Sequence, residues 1–232
     1  MVDVFFTRFN NALPTDIYNK YLSELPVYLQ DKNNRLARWP DKHANLFGIL
    51  LLKNALKYYN YPINILSDIK YTENNRPFID GFYDFNISHS GEYIVCAVSE
   101  RQKIGIDVEF IKPIEIEAFK NVFTSGQLRE ILNAPDPLST FYEFWVRKES
   151  MIKADGRGFS LLLDTLEITN NKIIFENTCW HLFNLPINSG YKCSVSTKNE
   201  NSTFRYWYLN FYSIEEMKFI PTSTLQYISD KL

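Results

Sequence analysis

Between Lys103 and Ile111 the chain alternates: Ile104, Ile106, Val108 and Phe110 interleave with Gly105, Asp107 and Glu109. A period of two is the signature of a β-strand, so one face is aliphatic and the other carries two carboxylates. Like charges this close repel unless a cation lies between them. A third acid, Glu149, sits in a segment where Phe141, Trp145, Glu149 and Ile152 recur at spacings of three and four, which places them on one face of a helix. A carboxylate among aromatic neighbours must be paired or metal-bound, because burying it bare costs several kcal/mol. Three carboxylates aimed at one spot call for a hard divalent metal, and a metal with lysines nearby points to phosphate chemistry. The plainer readings stand beside this one. A D-x-E strand face is more often simply solvated, and Glu149 with Lys153 makes an intrahelical ion pair that is compatible with function. Gly105 favours the site, since a position without a side chain lets a ligand or backbone approach closely.

A chain of 232 residues accommodates one domain or two and is long enough to bury a core. The net charge of −2 argues against a whole-protein nucleic-acid footprint. Three cysteines, Cys96, Cys179 and Cys193, show no CxxC spacing and read as reduced residues rather than disulfides or a zinc site. The segment Met1–Arg8 lacks the basic and long apolar regions of a signal peptide. No apolar run is long enough to span a membrane. The expected setting is cytoplasmic, without nucleic acid or membrane as partner.

Along the chain, Val2–Phe9 reads as a strand and Pro14–Gln30 as a helix. An amphipathic helix runs from about Lys42 to Tyr59, with Leu46, Phe47, Leu50, Leu51 and Ala55 as its apolar stripe. Asn74-Asn75-Arg76-Pro77 is turn chemistry. Asp84–Ser88 and Tyr93–Ser99 are expected as strands around a turn at His89-Ser90-Gly91-Glu92. A second half begins near Pro113. There Glu115–Asn133 reads as helical with an interruption near Phe123–Gly126, and Thr140 with Glu143 resembles a capping box for a helix over Phe141–Ala154, stopped by Gly156 or Gly158. Strands are expected at Leu161–Ile168, Lys172–Glu176, Tyr191–Thr197 and Phe204–Tyr212. Ser90-Gly91-Glu92-Tyr93 and its following strand are echoed by Ser189-Gly190-Tyr191 and Lys192–Ser196. The echo fits two similar α+β halves with a site at their junction, and equally the shared composition of hairpins.

His89 lies in a small polar run whose backbone N–H groups suit an anion, with Ser88 adding a donor; a surface turn histidine is the plainer reading. Lys148 and Lys153 follow Trp145, and Lys153 shares Glu149's side of the helix. Lys32, Arg35, Arg38 and Arg76 offer further anion contacts, each ordinarily a solvated charge. No P-loop, GxGxxG, GxSxG or HExxH pattern occurs.

These elements resemble, in order, the 4′-phosphopantetheinyl transferase superfamily, specifically its larger Sfp-type enzymes. The matching residues are Leu46-Phe47-Gly48, Asn75-Arg76-Pro77-Phe78, Phe85-Asn86-Ile87-Ser88-His89-Ser90, Gly105-Ile106-Asp107-Val108-Glu109, and Trp145 with Lys148-Glu149-Ser150, Lys153, Gly156 and Gly158. They cover about residues 40 to 165. The resemblance implies an α+β fold of two similar halves related by a pseudo-two-fold axis, over residues 1–112 and 113–232, in a monomer with coenzyme A in the cleft between them. It implies transfer of the phosphopantetheine arm of coenzyme A to a serine of an acyl or peptidyl carrier protein, with release of adenosine 3′,5′-bisphosphate. By position, Asp107, Glu109 and Glu149 match magnesium carboxylates. Glu149, or a water on the metal beside it, matches the group that deprotonates the carrier serine. Lys153 matches the lysine that neutralises the diphosphate. Ser88 and His89 match phosphate contacts, Asn75 and Arg76 the region holding the adenine and ribose phosphate, and Lys32 or Arg35 a basic pair for the 3′-phosphate.

Two positions depart from the family pattern. Where the family often has an arginine before Leu-Leu-Gly, this chain reads His43-Ala44-Asn45-Leu46-Phe47-Gly48, so His43, Arg38 or another base has to compensate. Gln127 stands where a Glu is common and is assigned no catalytic role. The alternative function is another magnesium-dependent phosphotransferase or phosphatase using the same carboxylates. A carrier-binding module without catalysis is disfavoured by the intact acids and Lys153. Fatty-acid, polyketide and nonribosomal-peptide carriers all stay open.

Overall fold

The computed structural model describes residues 1–158, 161–212 and 216–221. The chain is α+β, with two sheets stacked face to face and helices on the outside. β1 (Val2–Arg8) lies inside a five-stranded sheet of order β11-β10-β1-β5-β4, where β4 is Asp84–Ser90, β5 Tyr93–Ser99, β10 Phe204–Asn210 and β11 Glu216–Ile220. β6 (Ile104–Phe110) edges the second sheet, of order β6-β9-β8-β7, with β7 Lys172–Phe175, β8 Thr178–Asn184 and β9 Tyr191–Thr197. A short hairpin, β2 (Lys70–Tyr71) and β3 (Pro77–Phe78), brackets the Asn74–Arg76 turn.

Strand alternation explains the layering. Val2, Val4 and Phe6 of β1 join Val95 and Ala97 against Ile104, Ile106, Val108 and Val195 of the second sheet. The opposite set, Phe5, Cys96 and Val98, packs on α3 (Trp39–Tyr58), with α1 (Thr15–Ser23) and α2 (Val27–Asn34) alongside. The outer face of the second sheet packs through Trp180 and Leu182 on Met151, Ile152 and Ala154 of α5 (Pro137–Asp155). The order is therefore helix, sheet, sheet, helix. Asp3, buried in β1, accepts from Arg205, Trp207 and Tyr59 and so remains hydrogen-bonded.

The two sheets are joined at their edges by side chains. Every second residue of β4 accepts a backbone N–H of β6: Asp84 from Ile104 at 2.8 Å, Asn86 from Ile106 at 2.9 Å, Ser88 from Val108 at 3.4 Å and Ser90 from Phe110 at 3.1 Å. A row of polar side chains thus satisfies N–H groups that another strand would otherwise take.

Several sequence expectations are corrected. The helix over Pro14–Gln30 is two helices, broken where Pro26 stands as N-cap of α2. His89 and Ser90 belong to β4, and only Gly91-Glu92 turns. Gly91 takes the left-handed region there, at φ 54°, which a residue without Cβ adopts at no steric cost. α5 begins earlier than Phe141. Asp136 caps it by accepting from Ser139 N, Pro137 takes the first turn, and Thr140 lies inside the helix with its hydroxyl on Asp136 O. The capping box occurs instead at α4 (Ser125–Asn133), between Thr124 and Gln127. Leu161–Ile168 forms no strand; it holds one helical turn at Leu163–Thr165 and buries Leu161 and Leu166 beneath α5. The three cysteines are free. Among the described residues no helix is long and apolar enough to cross a membrane.

Candidate active site

The acidic face of β6 lies under α5 because of Gly105. A Cβ there would stand well under 3.0 Å from the backbone of Ser150 and Ala154 and 3.1 Å from Ala154 Cα, so helix backbone rests directly on strand backbone. From that contact the helix presents Glu149 and Lys153 to Asp107 and Glu109. Gly156, left-handed at φ 89°, ends the helix just beyond Lys153.

Asp107 and Glu149 are both buried. Lys153 Nζ donates to Asp107 Oδ1 at 2.6 Å and to Ser88 Oγ at 3.0 Å, while Ser88 donates to the same carboxylate oxygen at 2.9 Å. Ser90 donates to Glu109 Oε2 at 2.6 Å. A cavity of about 300 Å³ opens between β4, β6 and α5, lined by Ile87, Ser88, His89, Asp107, Glu109, Trp145, Glu149 and Lys153. Trp145 is held by stacking on Phe141, 5.9 Å between rings.

Electrostatics of the cavity follow from crowding acids in a dry place. Burial, then repulsion from Asp107, pushes the Glu149 carboxyl up to about 7, against the pull of Lys153. Burial also raises Glu109, partly offset by its bond from Ser90. At the cavity mouth, lost hydration and then the Lys153 ammonium lower the His89 imidazole. Two buried oxygens, Asp107 Oδ2 and Glu149 Oε1, have no hydrogen-bond partner. Orphaned anionic acceptors facing one cavity suit a hard cation, which would satisfy both and relieve the repulsion. Among the described residues no three His, Cys, Asp or Glu side chains are already gathered as a ligand set, and Lys153 and Ser90 engage Asp107 and Glu109.

Of the residues singled out from sequence, Ser88, His89, Asp107, Glu109, Glu149 and Lys153 meet here, whereas Lys32, Arg35, Asn75 and Arg76 do not line this cavity. Lys32 donates to Tyr71 at 3.1 Å and lies over its ring. Arg35 is exposed at the end of α2, and Asn75 sits left-handed at φ 60° in the β2–β3 turn. The Arg76 guanidinium is buried and engaged inside the protein. His43 cannot replace a phosphate-binding arginine. Its Nε2 accepts from Leu13 N, its Nδ1 faces Trp39 O, and burial lowers its pKa. Arg38 is exposed and paired with Asp41. Lys148 points away from the cavity, fully buried, donating to Val122 O and Leu163 O. Two functional positions lie beyond the sequence reading: Trp145 as a lining residue and Ser90 as partner of Glu109. The D-x-N-x-S-x-S alternation of β4 is the available signal, since period-two polar residues on a strand between apolar ones need partners.

A family model described as the 4′-phosphopantetheinyl transferase superfamily matches residues 103–196, from β6 to β9. The 4′-phosphopantetheinyl transferase Sfp of Bacillus subtilis (strain 168) is 34% identical over 155 residues, covering 64% of this chain and 68% of the relative. The chain belongs to the 4′-phosphopantetheinyl transferase superfamily. The transferase is also 29% identical over 205 residues to the 4′-phosphopantetheinyl transferase gsp of Aneurinibacillus migulanus, covering 84% of this chain and 85% of that one. A further Bacillus subtilis 4′-phosphopantetheinyl transferase is 37% identical over 156 residues, with 65% and 68% covered. These relatives make this transferase an enzyme of the Sfp type, and the segment matched by the family model carries Asp107, Glu109, Glu149 and Lys153.

Proposed function

We propose that this enzyme transfers the 4′-phosphopantetheine moiety of coenzyme A to a serine of an apo acyl or peptidyl carrier protein in a magnesium-dependent reaction. The observation that carries the reading is the cavity in which Asp107, Glu109, Glu149 and Lys153 converge, with one carboxylate oxygen each of Asp107 and Glu149 buried and unpartnered. A magnesium ion held by Asp107, Glu109 and Glu149 would neutralise the diphosphate and the charge that builds on its oxygens.

The chain's own residues supply the rest. Lys153, partly exposed and reaching into the cavity, places a positive charge where the diphosphate lies. From β4 His89 offers the phosphates a donor, and Ser88 would add one by turning its hydroxyl from Asp107. Glu149, lining the cavity on the α5 side, is placed to take the proton of the attacking serine. The serine oxygen bonds to the β-phosphorus as the bond from that phosphorus to the bridging oxygen breaks. The bridging electrons leave with adenosine 3′,5′-bisphosphate. Holding the serine in line supplies much of the remaining acceleration.

The division into halves over 1–112 and 113–232 belongs to the same proposal: Ser88, His89, Asp107 and Glu109 come from one, Trp145, Glu149 and Lys153 from the other. A working monomer is part of the same proposal. Asn75, in the β2–β3 turn, and Lys32 or Arg35 at the end of α2 are proposed to meet the adenosine end. The test incubates enzyme, coenzyme A and magnesium with a panel of apo-carriers from fatty-acid, polyketide and nonribosomal-peptide synthesis, then weighs the carriers. A gain of one phosphopantetheine, abolished by chelation, supports the reading. Phosphate release or transfer without carrier modification points to another phosphotransferase or phosphatase and defeats it.

A further inference from the structure

Sequence marks Arg76 as a grip for a phosphate, yet in the fold it is one of the most heavily bonded side chains. Its two terminal nitrogens form a fork on Asp84, Nη1 to Oδ1 at 2.9 Å and Nη2 to Oδ2 at 2.7 Å. Such bidentate pairing fixes geometry as well as charge. Nη2 also reaches Ile104 O at 3.0 Å, the first residue of β6, and Nε donates to Lys153 O at 2.9 Å. Only 7% of the residue is exposed. Asp84 itself is the first rung of the β4–β6 row, accepting from Ile104 N at 2.8 Å. The last turn of a helix leaves carbonyls without intrahelical partners, and a cation beside them is favourable. Lys153 O is one such carbonyl.

We propose that Arg76, its guanidinium locked by Asp84, is a positioning residue for Lys153 and that this guanidinium does not contact coenzyme A. One planar group fixes the end of α5, the start of β6 and the edge strand β4 relative to one another. The same three elements carry Lys153, Asp107 and Ser88, which meet within 3.0 Å. A shift of α5 against β6 therefore moves the Lys153 ammonium off Asp107 and out of its place on the diphosphate. The side chain is fitted to this task in a way lysine is not, because a single ammonium cannot hold a carboxylate and two carbonyls in one plane. Gly156 belongs to the same arrangement: a Cβ there would stand 3.1 Å from Arg76 Cδ.

The proposal rests on the transferase reading and is tested within it. Arg76→Lys and Asp84→Asn are compared with wild type for kcat and KM of coenzyme A, scored per folded enzyme after a thermal melt. Asp84→Asn keeps an acceptor for Ile104 N but breaks one arm of the fork, and it carries the test if Arg76→Lys does not fold. Displacement of a reacting group by about 1 Å costs on the order of 100-fold, so both variants should lose about 100-fold in kcat with KM within about 3-fold. The double variant should be no worse than either alone, because the residues act as one unit. A rise in KM of about 10-fold or more for Arg76→Lys with kcat intact would mean a ligand contact and overturn the proposal. Wild-type kcat in folded Asp84→Asn overturns it too, as does a loss confined to melting temperature. Absence of transfer by the wild type defeats the underlying function instead, and is seen in the control.

Discussion

Gly105→Ala is the sharpest test of how the fold builds the site, because it adds a single methyl at the point where α5 rests on β6. That methyl would stand under 3.0 Å from Ser150 O and Ala154 N, both backbone atoms with no rotamer to change. Strand β6 cannot retreat, since its other face packs Ile104, Ile106 and Val108 into the core between the sheets. The helix must lift, by about 1 Å or more, which is the scale at which a misplaced reacting group costs on the order of 100-fold in rate. Overpacking of this kind costs about 1–3 kcal/mol of stability. The helix carries Glu149 and Lys153, whereas Asp107 and Glu109 stay with the strand, so the two pairs of charged groups separate. The expected outcome is a folded protein with a lowered melting temperature and kcat for carrier modification reduced on the order of 100-fold. The assay follows carrier mass with time at saturating coenzyme A and magnesium. Gly105→Ala with wild-type kcat would refute the idea that the acids and the helix are held in register by that contact.

Other consequences are as direct. Asp107→Ala and Glu149→Ala should each cost about 10²–10³ in transfer rate, as loss of one electrostatic contact to the transition state usually does. The melting temperature of Glu149→Ala should hold or rise, because the change removes a buried carboxylate oxygen that lacks a partner, whereas that of Asp107→Ala should fall, because Lys153 and Ser88 lose their acceptor; a wild-type rate in excess magnesium refutes the assignment. His43 is held neutral, its pKa lowered by burial, so the unfolded chain binds its proton first on acidification. Stability should fall as pH drops below about 6.5, at up to about 1.4 kcal/mol per pH unit from this residue. Urea unfolding at a neutral and a mildly acidic pH measures it, and an unchanged pH slope in His43→Gln would exclude His43 as the source. Gln127 supplies one half of the α4 capping box and a bond to Leu166 O. Gln127→Ala should lower stability by about 1–2 kcal/mol in denaturant melts while leaving kcat unchanged.

The acidic strand and the helices α3 and α5 are readable from the chain because each carries a long, clean period. The site follows from them, since D-x-E on one element and Glu149 with Lys153 on another leave little choice of meeting point. What escapes reading depends on contacts distant in sequence. Leu161–Ile168 looks like a strand by its apolar residues, yet it packs as irregular chain under α5, and Lys148 supplies the hydrogen bond to Leu163 O that a ladder would have given. Pro137, with Asp136 before it as cap, starts α5 four residues ahead of the apolar stripe that begins at Phe141. β8 gives little signal: Trp180 and Leu182 alternate inward, while the run is short and flanked by polar residues. Arg76 carries no local sign that its partners lie 8, 28 and 77 residues away.

The row of polar side chains on β4 explains why the chemistry sits at this edge of the sandwich. Two sheets packed only through apolar faces can slide; hydrogen bonds from successive N–H groups of β6 to Asp84, Asn86, Ser88 and Ser90 fix one register. In that register Ser88 meets Asp107 and Ser90 meets Glu109, so the groups that fasten the sheets also orient the acids. A slip by one residue would turn both carboxylates toward the apolar core between the sheets, where they could find neither Lys153 nor a cation. The charged cavity is therefore tied to the sheet junction, and changes to Asn86, which bonds Ile106 N and lies outside the cavity lining, should affect transfer through geometry alone.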